Sequence, residues 1–151
     1  IPNIKLIILG KSSFDSEIKR KINEYDVGKL VDFIGWVKED KIPNYLSISK
    51  LGLSPLHKNI HHDTTYANKI FQYISFGCPI VSSDVTAQSE LVKKYNIGVV
   101  FKDRNVTDFS NKVIELYKEK SMFNKLKNNC LLSIEKLNNS VISNQLTSIY
   151  E

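Results

Sequence analysis

Apolar positions along this chain follow two alternating rhythms. Residues 4–9, apolar but for Lys5, form a run ending at Gly10, the pattern of a parallel strand buried on both faces. Residues 15–25 then place Ile18 and Ile22 one helical turn apart, with Asp15 or Ser13 available as a cap. A short strand over residues 30–34 stops at Gly35. The stretch 42–48 reads as a short helix, with Pro43 tolerated in its first turn, and residues 50–54 form a strand closed by Pro55. An amphipathic helix over residues 68–76, marked by Ile70, Phe71 and Ile74, runs into Gly77 and Cys78-Pro79 and then a strand over 80–82. Glycine suits the residue just past a helix, and proline cannot continue one.

The alternation continues with a helix over residues 86–95 and a strand over 98–101. The helix predicted over 106–118 puts Phe109, Val113, Leu116 and Tyr117 on one face. Ser121 can cap a last helical region with Phe123, Leu126, Cys130 and Ile134 in register; Asn138-Asn139-Ser140 breaks it before a final helix to Tyr150. Strands separated by helices predict an α/β fold with a doubly wound parallel sheet. Ligands of such sheets sit at the carboxyl ends of the strands, which selects the loops after Leu9, Ile34, Ser54 and Val81. The aromatic residues Phe71, Tyr73 and Phe76 read as core, whereas Trp36, directly after Gly35, is better placed to meet a ligand.

Composition narrows the picture modestly. With 151 residues, 42% apolar and 25% charged, the chain reads as one ordinary globular domain. It begins with Ile1 and shows no signal region, which suggests a domain cut from a longer protein. Cys78 and Cys130 lie far apart and in no C-x-x-C pair, so a reduced cytoplasmic setting is the default. The triplets at Asn105 and Asn138 fit the glycosylation acceptor pattern but arise easily in an Asn-rich chain. The net charge of +5 comes mostly from lysine. It suits a phosphorylated ligand, an anionic membrane surface, or simply a solvated surface. Nucleic acid as a partner would call for arginine clusters with interleaved aromatics, and only Arg20 and Arg104 are present.

Candidate chemistry gathers in two places. Gly10-Lys11-Ser12 follows a strand and precedes a helix, but a Walker A loop needs a glycine where Lys5 stands, so a P-loop ATPase is rejected. Gly10 letting a ligand approach and Lys11 neutralising it is one reading; a tight turn with an exposed lysine is the other. The polar loop 55–67 holds His57, His61 and His62 and the adjacent threonines Thr64 and Thr65, and it feeds the N-terminus of the helix at 68. Free first-turn N–H groups and the helix dipole suit an anion there. Pro55 and the polar composition argue against a helix at His57–His61, and only Asp63 is at hand to complete a ligand set, so no metal is expected. A histidine hydrogen-bonding a substrate is favoured over a metal ligand, and for at least one of the three a merely exposed loop position is favoured further. No serine sits in a G-x-S-x-G context, and hydrolase chemistry is unsupported.

These residues resemble the donor-binding, C-terminal half of GT-B glycosyltransferases of the family 4 kind. Residues 4–10 resemble its "LxIxG" strand, and Val31-Asp32-Phe33-Ile34-Gly35-Trp36-Val37 is similar to "VxFxGxV". Residues 42–55 resemble "lpxyyxxaDvxvxPs", residues 68–81 "NKxxEYmaxGxPVv", and Glu90-Leu91-Val92 with Gly98-Val99-Val100 "Eiv…Glv". The match runs in order over nearly the whole chain. It implies a Rossmann-like domain that binds a nucleotide-diphosphate sugar, within a retaining transferase whose N-terminal half holds a glycan, lipid or other acceptor.

The resemblance implies no metal or other cofactor, and electrostatic stabilisation of a departing diphosphate. Amides of Tyr66, Ala67, Asn68 and Lys69 would cradle phosphate oxygens, assisted by Lys69 or Lys11, and the turn Gly35, Trp36, Val37 would border the nucleobase. The family's two glutamates fall at Thr64 and Gln72. Gln72 keeps a neutral acceptor and gains a donor toward ribose, whereas the contact expected at position 64 is put in doubt. A subset of the family carries a His/Thr-rich loop like residues 61–66, with His62 facing the donor. The Arg/Lys pair that the family uses upstream is not in this sequence, so the 151 residues alone are expected to be inactive. In the parent protein the resemblance adds contact with the cytoplasmic face of a membrane. Two other readings stand beside it. One is a GT-B sugar-nucleotide epimerase or hydrolase. The other is a non-catalytic flavodoxin-like interaction domain, which wants an acidic cluster where Gly10-Lys11 sits.

Overall fold

In the computed structural model, residues 1–137 are described, and they fall into two compact units, the first Ile1–Ile48 and the second beginning at Ser49. The break at Asn138 and the final helix expected up to Tyr150 lie outside the described residues.

In the first unit, β1 (Leu6–Leu9) and β2 (Val31–Gly35) pair in parallel, Leu6 opposite Val31 and Leu9 opposite Gly35, with an irregularity between Ile8 and Leu9. The helix α1 (Asp15–Glu24) makes the crossover. Its start differs from expectation, because Phe14 occupies the N-cap and offers no side-chain bond. Neither Ser13 nor Asp15 caps it. Ser12 Oγ instead accepts from Phe14 N, and the Asp15 carboxylate reaches back to Ser12 N at 2.9 Å. Burial on both faces of the 4–9 run is also corrected: Leu6 is 39% exposed and the rest of β1 is half-buried. The reason is that α1 stands off the sheet. An open apolar hollow of about 450 Å3 lies between them, lined by Leu6, Ile8, Val31, Phe14, Ile18 and Ile22. A 3-10 turn (Glu39–Lys41) leads into α2 (Ile42–Ile48), with Pro43 in its first turn as predicted.

The second unit carries a three-stranded parallel sheet, β3 (Gly52–Ser54), β4 (Ile80–Ser83) and β5 (Gly98–Phe101), in that order. The helices are α3 (Ile60–Thr64), α4 (Asn68–Ser75), α5 (Thr86–Tyr95), α6 (Val106–Lys118) and α7 (Lys120–Leu137). Successive residues of a strand face opposite sides, and β4 is buried throughout. Ile80 joins Ile70, Ile74, Leu91, Val92, Ile97 and Cys130 in one core. Val81 joins Val99, Phe101, Leu116 and Leu126 in the other. A sheet with an apolar core on each face is the doubly wound arrangement that the alternating pattern predicted.

The Gly77-Cys78-Pro79 stop is a Schellman motif. Gly77 N donates to Ile74 O and Cys78 N to Tyr73 O, with Gly77 at φ +62°. Three side chains depart from their predicted places. Phe76 is the C-cap residue and is 38% exposed, Tyr117 is 50% exposed at the edge of its helix face, and Ser121 lies inside α7 and does not cap it.

Candidate functional site

The carboxyl ends of β3, β4 and β5 converge on the segment that follows β3. That segment is not the unbroken loop expected. Residues Ile60–Thr64 form one helical turn, because Asn59 Oδ1 caps it by accepting from His62 N at 2.8 Å. His61 and His62 ride on this turn, and His57 precedes it. No helix joins His57 to His61, as expected; the turn begins at Ile60 and, being a single capped turn, needs no apolar periodicity.

The segment is anchored to all three strand ends. Ser83 Oγ, buried at the end of β4, donates to the Leu56 carbonyl. The His57 ring donates from Nδ1 to Asp103 Oδ1 at 2.7 Å, and Lys58 N donates to the other oxygen of Asp103 at 3.1 Å. Lys58 Nζ donates to Asp84 Oδ2 at 2.8 Å, while Asp84 Oδ1 accepts from Asp103 N at 2.7 Å. From the turn itself, Asp63 Oδ1 accepts from both N and Oγ1 of Thr86, at 2.8 and 3.0 Å, where α5 begins. The Lys58 ammonium holds the Asp84 carboxyl below its ordinary value, and Asp84 raises Lys58 in turn. The His57 ring and the Lys58 amide likewise lower Asp103.

Two partners meet at one ring nitrogen: His62 Nδ1 lies 2.7 Å from the His57 carbonyl and 2.9 Å from the Asn59 side-chain amide nitrogen. Thr64 Oγ1 donates to the Ile60 carbonyl at 2.8 Å and Thr65 Oγ1 to the His61 carbonyl at 2.7 Å. Both hydroxyls therefore have lone pairs, and no hydrogen, left for a ligand.

The chain then turns into α4. Ala67 is its N-cap residue and gives the first-turn amides no side-chain acceptor. Tyr66 packs edge-on against Phe71, ring centroids 6.1 Å apart. Asn68 is exposed and Lys69 half-buried, and burial lowers the Lys69 amine from its ordinary value. Among the described residues no carboxylate lies within ion-pair distance of Lys69. Gln72, exposed, stands one turn further along on the side of Lys69.

The first unit gathers its own candidates. Gly10 N donates to the Gly35 carbonyl at 2.8 Å, which brings the ends of β1 and β2 together. Gly10 has φ +121° and open space where a side chain would stand. Lys11 is exposed, Trp36 is 69% exposed and Val37 half-buried. Among the described residues no group of three or more His, Cys, Asp or Glu is arranged to hold a metal ion, and no helix is long and apolar enough to cross a membrane.

Sequence reading missed Asp63, Asp84, Asp103, Lys58 and Thr86. Asp84 and Asp103 stand within two residues of the ends of β4 and β5, and an acidic residue at a parallel strand's exit is the signal that could have found them.

A parallel α/β unit with its polar residues gathered at the strands' carboxyl ends is a ligand-binding fold of the nucleotide-binding type. The particular family follows from comparison: the glycosyl transferases group 1 family matches residues 1–131, and the chain belongs to it. It is similar to the chitobiosyldiphosphodolichol beta-mannosyltransferase of Yarrowia lipolytica, 24% identical over 132 residues, 87% of this chain and 28% of that protein. The chain thus spans under a third of the length of the curated relatives it matches. Among solved structures, Anabaena Alr3699/HepE in complex with UDP superposes with a TM-score of 0.78 at 18% identity, covering 98% of this chain and 42% of that one. Sucrose-phosphate synthase from Thermosynechococcus elongatus gives a TM-score of 0.79 at 15% identity, over 99% of this chain and 46% of that one. At these identities the likeness shows the fold, that of Rossmann-like GT-B glycosyltransferases.

Proposed function

We propose that this chain is the donor-binding part of a glycosyltransferase and that the N-terminus of α4 seats the diphosphate of a nucleotide sugar. The observation that carries this reading is Lys69. A cation near the positive end of a helix is disfavoured by the dipole, and partial burial disfavours it further. A diphosphate would reverse both penalties and would use the uncapped amides beside it. Gln72 would take ribose hydroxyls, and the acceptor lone pairs of Thr64 and Thr65, with the His62 ring beside them, would face hydroxyls of the sugar. The Anabaena neighbour solved with UDP, and also with UDP-glucose, supports this class of ligand. In the whole protein the sugar would pass, with retention, to a glycan or lipid acceptor. The departing diphosphate would be stabilised electrostatically and not by a covalent triad. Gly10, Lys11, Gly35, Trp36 and Val37 are proposed as ligand-facing residues of the first unit taken by itself.

Calorimetric titration of the 151-residue chain with UDP, GDP and ADP, with and without a divalent ion, tests the reading. One diphosphate should bind without metal, and Lys69→Ala should weaken it about 10- to 100-fold, the span of a charge-assisted hydrogen bond. Equal affinity of Lys69→Ala and the parent chain would overturn it.

A further inference from the structure

The aspartates at the strand ends have no place in the reading above, yet each accepts two donors and together they bind one segment. Asp103 takes the His57 ring and the Lys58 amide. Asp84 takes the Lys58 ammonium and the Asp103 amide. Asp63 takes the amide and hydroxyl of Thr86. Residues 57–63 are thereby tied to the exits of β4 and β5 and to the start of α5, while α3 packs against α5. Within the segment, the His57 carbonyl and the Asn59 side chain hold the His62 ring at Nδ1, and the α3 carbonyls take the hydroxyl hydrogens of Thr64 and Thr65. The side chains proposed to meet the sugar are thus oriented by a backbone whose own placement depends on the three carboxylates.

We infer that Asp63, Asp84 and Asp103 are positioning residues: they strap the 57–64 segment across the sheet's carboxyl edge so that Thr64 and Thr65 present preformed acceptors, and His62 a held ring, to the donor sugar. The inference rests on the donor-site reading for the ligand, but not for the strap itself. Preformed acceptors avoid the ordering cost that a free loop would bring to binding. The strap acts on the segment before α4, and the helix N-terminus is held independently by Ile70 and Ile74 in the core. Loosening it therefore separates sugar recognition from diphosphate recognition.

Two variants test this: Asp84→Asn, which keeps an acceptor for the Asp103 amide but loses the carboxylate charge that pairs with Lys58, and Lys58→Met, which removes only the ammonium from an exposed position. Amide hydrogen exchange should rise at least tenfold across residues 57–65 in both, with β4 unchanged. Titration should show UDP affinity within twofold of the parent chain and UDP-glucose affinity reduced at least fivefold; GDP and GDP-mannose replace them if GDP is the diphosphate that binds. Unchanged exchange over 57–65 would overturn the strap. Equal weakening of the nucleoside diphosphate and the nucleotide sugar would reduce the aspartates to general stabilisers and overturn the positioning role. If the parent chain binds no diphosphate, the donor-site reading fails by itself, and the exchange measurement still decides the strap.

Discussion

At the residue scale, environment sets the chemistry of groups whose type alone says little. Cys130 is buried, and desolvation pushes its thiol up to about 12; burial raises Cys78 as well. A thiol that does not ionise is not a nucleophile. Both cysteines are therefore expected to resist iodoacetamide at pH 8 in the folded chain and to react once it is unfolded in denaturant. Asp84 and Asp103 shift the other way. A carboxyl whose folded value is depressed stabilises the fold above the ordinary carboxylate value, and this contribution is lost as pH falls through the lower folded value. Exchange protection of residues 57–63 should thus hold from neutrality through the ordinary carboxylate range and drop only beneath it. Of the candidate residues, Lys69 and Gln72 were named from the motif resemblance, and the helix that carries them was legible in the apolar period around them. The aspartates were not legible, because the partner of each is remote in sequence: Asp84 from Lys58 and Asp103 from His57 at the strand ends, Asp63 of α3 from Thr86.

At the element scale, boundaries followed the strength of local signals. The helices at Ile42–Ile48, Thr86–Tyr95 and Val106–Lys118 and the strand at Gly98–Phe101 have the predicted bounds. The stop at Gly77 combines a left-handed residue with a crowded site, since an added Cβ would meet Leu131 at 3.2 Å. Gly77→Ala should therefore cost roughly 1–2 kcal/mol and lower the thermal midpoint by about 2–8 °C in a chain of this size, as read by circular dichroism. The one-turn helix α3 escaped notice for the opposite reason. It is held by a single Asn59 cap and by side-chain bonds to other elements, none of which leaves a period in the sequence.

At the scale of the whole molecule, stability is unevenly distributed. In the second unit β4 is buried along its length between two cores, whereas in the first unit α1 has no buried residue. Ile74→Ala, which opens a cavity beside Ile70 and Cys130, should cost about 2–5 kcal/mol. Ile18→Ala, on the rim of the open hollow, should cost less than about 1 kcal/mol. Denaturant unfolding of the two variants checks the contrast, and amide exchange should find β4 the most protected strand.

The sequence by itself determined the alternation of strands and helices, the parallel α/β class and the helix on which Lys69 lies. These are local properties: apolar period, capping and the glycine stop act within one or two turns of chain. Only the tertiary structure decided which strand faces are covered and that the histidine segment is strapped to the strand ends. The strap depends on hydrogen bonds between residues 19 to 46 positions apart, such as Asp84 with Asp103 and His57 with Asp103. Partners so distant meet only because the parallel crossovers bring the carboxyl ends of successive strands to the same edge of the sheet.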